Sequence, residues 1–213
     1  GKAQLIVMSD HGFAPWRREM DLNGWLHQQG YLSLKNGQTS SGELFQNVDW
    51  TKTRAYNVGF NGLYLNLQGR EKHGIVAEQD RDALLQEIQQ KLLSTRDPDS
   101  GEAAVTKVYR SSQHYHFSLE QARAQSPDLV VGFAYGTRGS SSSALGAVAE
   151  ASQVFIDHTG AWSGDHSMDH ESVPGILLTS QPLTQPAMNL RELPKAILHE
   201  FDIKPVMQGT LKP

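Results

Sequence analysis

The sequence contains no cysteine, which excludes a disulfide framework and every thiolate metal site. Any metal here must be held by His, Asp, Glu or a hydroxyl. That absence does not choose a compartment, because exported proteins need no disulfides. No stretch approaches the roughly 18 consecutive apolar residues of a membrane span. The N-terminus shows neither the basic region nor the cleavage site of a signal peptide, and no internal repeat is present. There is no basic stripe either: the formal net charge is -4 over 213 residues, which argues against holding a nucleic-acid polymer by its phosphates. What is present is globular in character, with 38% hydrophobic and 20% charged residues, enough to bury a core. Scattered Lys and Arg are still compatible with one small phosphorylated substrate.

Residues 5–8 form an unbroken apolar run, Leu-Ile-Val-Met, the pattern of a strand buried on both faces of a parallel sheet. Ser9-Asp10-His11-Gly12 follow at its carboxyl end, the edge where open α/β sheets gather their ligands. A chain that reaches polar chemistry at residue 10 is expected to have had an upstream segment. A short helix is predicted over residues 21–29, with Asp21 as N-cap and Gly30 as terminator. Residues 53–67 read as strand-turn-strand about Asn61-Gly62. Leu84, Leu85, Ile88 and Leu92 recur at helical spacing and predict a helix over 78–94. Residues 97–101, Asp-Pro-Asp-Ser-Gly, predict a turn. Strands are expected at 105–109, 129–133 and, buried, at 173–179; helices are expected at 117–123 and 190–201. The Gly-Ser run at 139–143 reads as a flexible loop by composition. Strands interleaved with helices give an α/β class.

Two turns carry candidate metal chemistry. Asp10 and His11 set a carboxylate and an imidazole side by side, followed by a glycine that permits a tight turn. The same dipeptide also occurs in plain turns whose Asp caps the next element. His166 lies in Trp-Ser-Gly-Asp-His, residues 162–166, just before the expected strand at 173; a surface His on a turn is its ordinary reading. Asp157-His158 and Asp169-His170 lie close by in sequence, and Trp162 reads as a core residue. His114 and His116 flank Tyr115 and would share a strand face, but no carboxylate stands near to support them.

Four blocks, taken together and in order, resemble the type I phosphodiesterase and nucleotide pyrophosphatase family of the alkaline-phosphatase superfamily. They are LIVMSDHGF at 5–13, DWTKTRAYNVGFNGLYLNLQGREKHGIV at 49–76, PDLVVGFAYGTRGSSSSALG at 127–146 and WSGDHSMDHESVPGILLT at 162–179, followed by a closing helix and Met207-Gln208-Gly209. The resemblance implies part of an alkaline-phosphatase-like sheet with flanking helices, and a site for two divalent ions, typically Zn2+. Asp10 and His11 match the pair that binds the metal beside the nucleophile, and His166 matches a ligand of the metal that activates water. Asp165 would orient its neighbour, while Asp169, His170, His114 and His116 match no ligand position. Residues 136–138 read Gly-Thr-Arg where the family has Gly-Tyr-Arg, so a stacking role for that aromatic does not carry over. Cofactor-independent phosphoglycerate mutases share the Asp-His-Gly signal, but the second and third blocks do not fit them.

The resemblance also implies what is missing. The family's upstream Asp, its Thr or Ser nucleophile and an Asp-x-x-x-His pair all precede the Ser-Asp-His-Gly block, and only nine residues precede Asp10 here. Residues 1–213 are therefore expected to be the C-terminal portion of one such domain. The missing N-terminal segment of the same protein is its partner, and this chain alone is inactive. In the complete enzyme a phosphate ester would be hydrolysed through a two-metal site and a covalent phospho-enzyme. Two other readings are a non-catalytic domain that keeps the fold for binding or assembly, and a mononuclear site of Asp10, His11 and His166 alone. Relatives are often exported or membrane-tethered.

Overall fold

The structure is a computed structural model that describes residues 3–114, 120, 124, 126–185 and 189–204. Contacts divide the chain into two compact units, one of Gly1–Gly12 with Pro174–Pro213 and one of Phe13–Val173. The architecture is mixed α/β, with several small sheets and flanking helices. Among the described residues no helix is long and apolar enough to cross a membrane.

In the first unit, β1 (Ile6–Met8) pairs antiparallel with β11 (Leu177–Thr179). The apolar run at residues 5–8 predicts a strand buried in a parallel sheet; the strand is present, but its partner is antiparallel and its side chains are open. Val7 is 45% and Leu178 61% exposed, because a two-stranded ribbon has no second layer to cover its faces. The buried strand expected at 173–179 shortens for a local reason. Pro174 lacks an amide donor and Gly175 follows it, so only Leu177–Thr179 is strand. The last predicted helix is α5 (Leu193–Glu200), with Pro at its first turn and Leu193 and Ala196 buried.

The second unit is built on a four-stranded antiparallel sheet in the order Ala55–Val58, Gly62–Leu65, Leu129–Phe133, Val105–Arg110. The predicted hairpin supplies β4 (Ala55–Val58) and β5 (Gly62–Leu65); β6 (Val105–Arg110) and β7 (Leu129–Phe133) complete the sheet. Helix α2 (Glu78–Ser94) lies against β6 and buries the four apolar residues whose spacing predicts it. Leu63, Leu65, Ile88, Leu92, Leu129 and Phe133 are all 0% exposed and form the core. Helix α1 (Leu22–Gln28) begins where Asp21 accepts the Gly24 amide at 2.7 Å and gives way to Gly30 at φ 75°, a left-handed conformation that favours glycine. A short helix, α3 (Ser111–His114), follows β6. The helix predicted over 117–123 lies, apart from residue 120, outside the described residues, as do Tyr115, His116 and the Met207-Gln208-Gly209 ending.

Two smaller sheets of this unit carry His166 and its surroundings. Strand β3 (Arg18–Met20) pairs parallel with β8 (Thr137–Gly139) and antiparallel with β9 (Phe155–Asp157). Strand β2 (Ala14–Pro15) pairs with β10 (Gly164–Asp165). The Gly-Ser run is not a loose loop. Gly139 ends β8, Ser140 caps α4 (Ser141–Ala144), and Ser140 and Ser143 are 3% and 1% exposed. Their hydroxyls are consumed inside: Ser140 donates to Asp21 Oδ2 at 2.8 Å, and Ser143 donates to Asn57 Oδ1 at 2.8 Å while accepting the Asn23 amide at 3.0 Å. Small side chains with satisfied hydroxyls pack where composition suggested solvent.

Candidate functional site

The turn after β1 sets Asp10 and His11 in the open, with side chains 71% and 31% exposed. Asp10 Oδ1 accepts the His11 amide at 3.1 Å, and its Oδ2 lies 3.6 Å from His11 Nε2. His11 Nδ1 is 2.9 Å from the Gly12 carbonyl. A carbonyl can only accept, so Nδ1 carries the proton there, and in a neutral ring the lone pair falls on Nε2, beside the carboxylate. The turn is braced within its own unit: the Ser9 amide donates to the Ile176 carbonyl, and the Ile176 amide to Ser9 Oγ, both at 3.0 Å. Gly175 permits that approach, since a Cβ there would stand 2.6 Å from the Ser9 carbonyl.

His166 follows β10 and is exposed, its ring edge-on to Phe13 at 5.5 Å. Its backbone is held by its neighbour. Asp165 Oδ1 accepts the amides of His166 and Ser167 at 2.7 and 2.6 Å, and Oδ2 takes Arg138 Nη1 at 2.6 Å. Burial alone would raise this carboxyl's pKa, but the Ser167 amide and the Arg138 guanidinium together hold it below the ordinary carboxylate value. Arg138 is 6% exposed and lies 3.6 Å over the Trp16 ring and 4.3 Å from the Phe60 ring centre. Trp16 in turn stacks on His158 at 3.4 Å. Trp16 thus touches both an imidazole and a guanidinium, and the same guanidinium touches the Phe60 ring. Thr137 stands where the resemblance has an aromatic, and the arginine beside it makes the stacking contacts instead.

The neighbouring candidates have ordinary structural work. Asp157 accepts Arg18 Nη1 at 2.8 Å; His158 Nδ1 lies 3.0 Å from Glu19 Oε1, and its Nε2 lies 2.6 Å from the Trp162 carbonyl. Trp162 itself is 67% exposed, which corrects its reading as a core residue. Asp169 is buried at 3% exposure and accepts the Tyr109 hydroxyl at 2.7 Å. His170 Nδ1 stands 3.2 Å from the same hydroxyl, and His114 is edge-on to the Tyr109 ring. These side chains line a cavity of about 280 Å³ that includes none of the residues matched to metal ligands.

The donors at residues 10, 11 and 166 are of the right chemical kind for zinc, which takes imidazole nitrogen and carboxylate oxygen. Their number falls short of two four-coordinate ions. Among the described residues, no group of three or more His, Asp or Glu is gathered to hold a metal.

The mixed α/β architecture, with several sheets and flanking helices, is consistent with the alkaline-phosphatase-like family. The family model described as Type I phosphodiesterase / nucleotide pyrophosphatase matches residues 1–160, and the chain belongs to that family. Function of the phosphodiesterase and pyrophosphatase type follows from membership, since the family's members are generally hydrolases and typically depend on metals. The match takes in the first three blocks of the resemblance and ends short of the fourth, which contains His166. No curated protein and no solved structure matches the chain.

Proposed function

We propose that this chain is the C-terminal portion of a metal-dependent phosphodiesterase or nucleotide pyrophosphatase acting on a small phosphorylated substrate. Asp10 and His11 would hold one divalent ion, and His166 would contribute to holding a second. The observation that carries this reading is the Asp10-His11 turn, where the Gly12 carbonyl selects the tautomer whose lone pair lies beside the Asp10 carboxylate. When bound, the ions, Zn2+ by preference, would supply Lewis-acid stabilisation of phosphoryl charge and lower the pKa of a hydroxyl or water. The chain's own residues do the rest of what is described. Asp10 accepts the amide of its neighbour and so fixes the turn, and Asp165 does the same for His166. The remaining ligands and the nucleophile belong, on this reading, to an upstream segment of the same protein. Diester and monoester substrates are both compatible with the chemistry.

The test has two arms. The purified chain with zinc should not hydrolyse bis(4-nitrophenyl) phosphate, whereas the same chain joined to its upstream segment should. Turnover by the 213 residues alone would overturn the division of labour. Zinc bound equally well by wild type and by a double variant, Asp10→Asn with His11→Ala, would overturn the ligand assignment.

A further inference from the structure

We infer that Arg138 is a positioning residue. Acting through Asp165, it fixes the backbone that presents the His166 imidazole. The inference rests on the proposed role of His166 for its consequence, but its geometry stands by itself. Each of the three guanidinium nitrogens of Arg138 donates to a described acceptor. Nη1 donates to Asp165 at 2.6 Å, Nη2 to Ser141 Oγ at 2.7 Å and Nε to the Gly139 carbonyl at 3.3 Å. Trp16 and Phe60 also pack against it, at 3.6 and 4.3 Å, so ring contacts as well as hydrogen bonds restrain the guanidinium. The Asp165 carboxylate inherits that rigidity, because its second oxygen is shared by two consecutive amides, at residues 166 and 167. Two successive N–H groups aimed at one oxygen dictate the direction of the chain as it leaves β10, and the first side chain beyond that point is His166.

Stability alone is a poor account of this arrangement. A buried ion pair contributes little compared with apolar side chains of equal volume, whereas a planar guanidinium forked between fixed partners specifies direction. Gly139 shows how closely the fold has been arranged around it: a Cβ there would overlap the carbonyl of Phe60, the residue whose ring lies against the guanidinium. Groups that orient a ligating side chain without touching the ion typically govern about 10- to 100-fold in metal affinity.

The experiment uses the full 213-residue chain and zinc alone. Arg138→Lys keeps the charge but loses the fork, and Asp165→Asn keeps the shape but loses the charge. Asp128→Asn serves as the structural control, since Asp128 is a buried carboxylate that accepts from Arg70, Arg81 and the Leu65 amide. Amide hydrogen exchange at His166 and Ser167 should quicken by about tenfold or more in the two test variants and remain unchanged in the control. Zinc affinity should fall by about 10- to 100-fold in the same two variants, with His166→Ala setting the floor. Unchanged exchange at 166 and 167 in both variants overturns the inference, whatever zinc does. So does an affinity loss in Asp128→Asn as large, degree for degree of lost thermal stability, as that in the test variants. Quickened exchange with His166→Ala binding zinc like wild type leaves the positioning intact and removes the metal role of His166 instead.

Discussion

Gly132 on β7 lies directly against Asp169. A Cβ at residue 132 would overlap Asp169 Oδ2 and stand 3.2 Å from the Asp169 Cβ. That carboxylate is buried, accepts the Tyr109 hydroxyl, and caps the turn at residues 170–172 through the Glu171 amide at 3.1 Å. One missing methyl group therefore makes room for a connection between the central sheet and the segment that follows His166. Gly132→Ala should cost about 1–3 kcal/mol by overpacking, read as a lower urea midpoint with an unchanged slope.

Ser143 ties α4 to the first helix and to the hairpin. Replacing it by Ala strands the Asn23 amide and Asn57 Oδ1, both in buried residues. Unsatisfied buried groups cost about 1–3 kcal/mol, and a chain of this size loses roughly 2–4 °C of melting temperature per kcal/mol. A thermal scan of Ser143→Ala should show a drop of that order, which an exposed serine such as Ser100 would not reproduce.

Helix α2 offers a contrast within a few residues. Ile88 is 0% exposed in the core, and Leu93 is 39% exposed. Ile88→Ala should destabilise by about 2–5 kcal/mol, whereas Leu93→Ala should stay within about 0.5 kcal/mol. Urea unfolding of the two variants checks the assignment of the helix's buried face.

Acid should act on two buried carboxyls with opposite sign. Burial works to raise Asp97, but Arg18 and the amides of residues 99 and 100 bring its pKa below the ordinary value. The stability it contributes is complete above the unfolded carboxylate pKa, about 3.9, and is lost as pH falls through the lower folded value. Burial raises Asp21 in spite of its hydrogen bonds from Gly24 and Ser140. Its ionised form therefore weakens the fold above the raised value, and that penalty disappears as pH falls past the ordinary one. Melting temperature measured from about pH 6 to 3 should fall less steeply with acid in Asp97→Asn than in wild type. The same series in Asp21→Asn should lose the small gain that precedes the acid fall.

Local chemistry was readable wherever neighbours in sequence decide the conformation. The Asp21 cap, the hairpin about Asn61-Gly62, the turn ending at Gly101 with φ 73°, and α2 with its four buried residues all depend on groups within a few positions of one another. Misreadings arose where burial depends on something distant. The Ser run looked like solvent-loving composition, but its hydroxyls meet Asp21 and Asn57. The apolar strand at 5–8 looked buried, but pairs with one open strand. Trp162 looked like core by residue type and is exposed.

What the residues decided by themselves was the family, the mixed α/β class and the Asp10-His11 turn, because each is carried by contiguous blocks whose chemistry is local. Only the folded chain joined Arg138 to Asp165, 27 positions apart, and brought the guanidinium against Trp16 and Phe60. Such a pairing leaves no periodic trace in the sequence. It exists because β8 and β10 bring their side chains to one buried point, where an ion pair and its hydrogen bonds must be completed within the protein rather than by water.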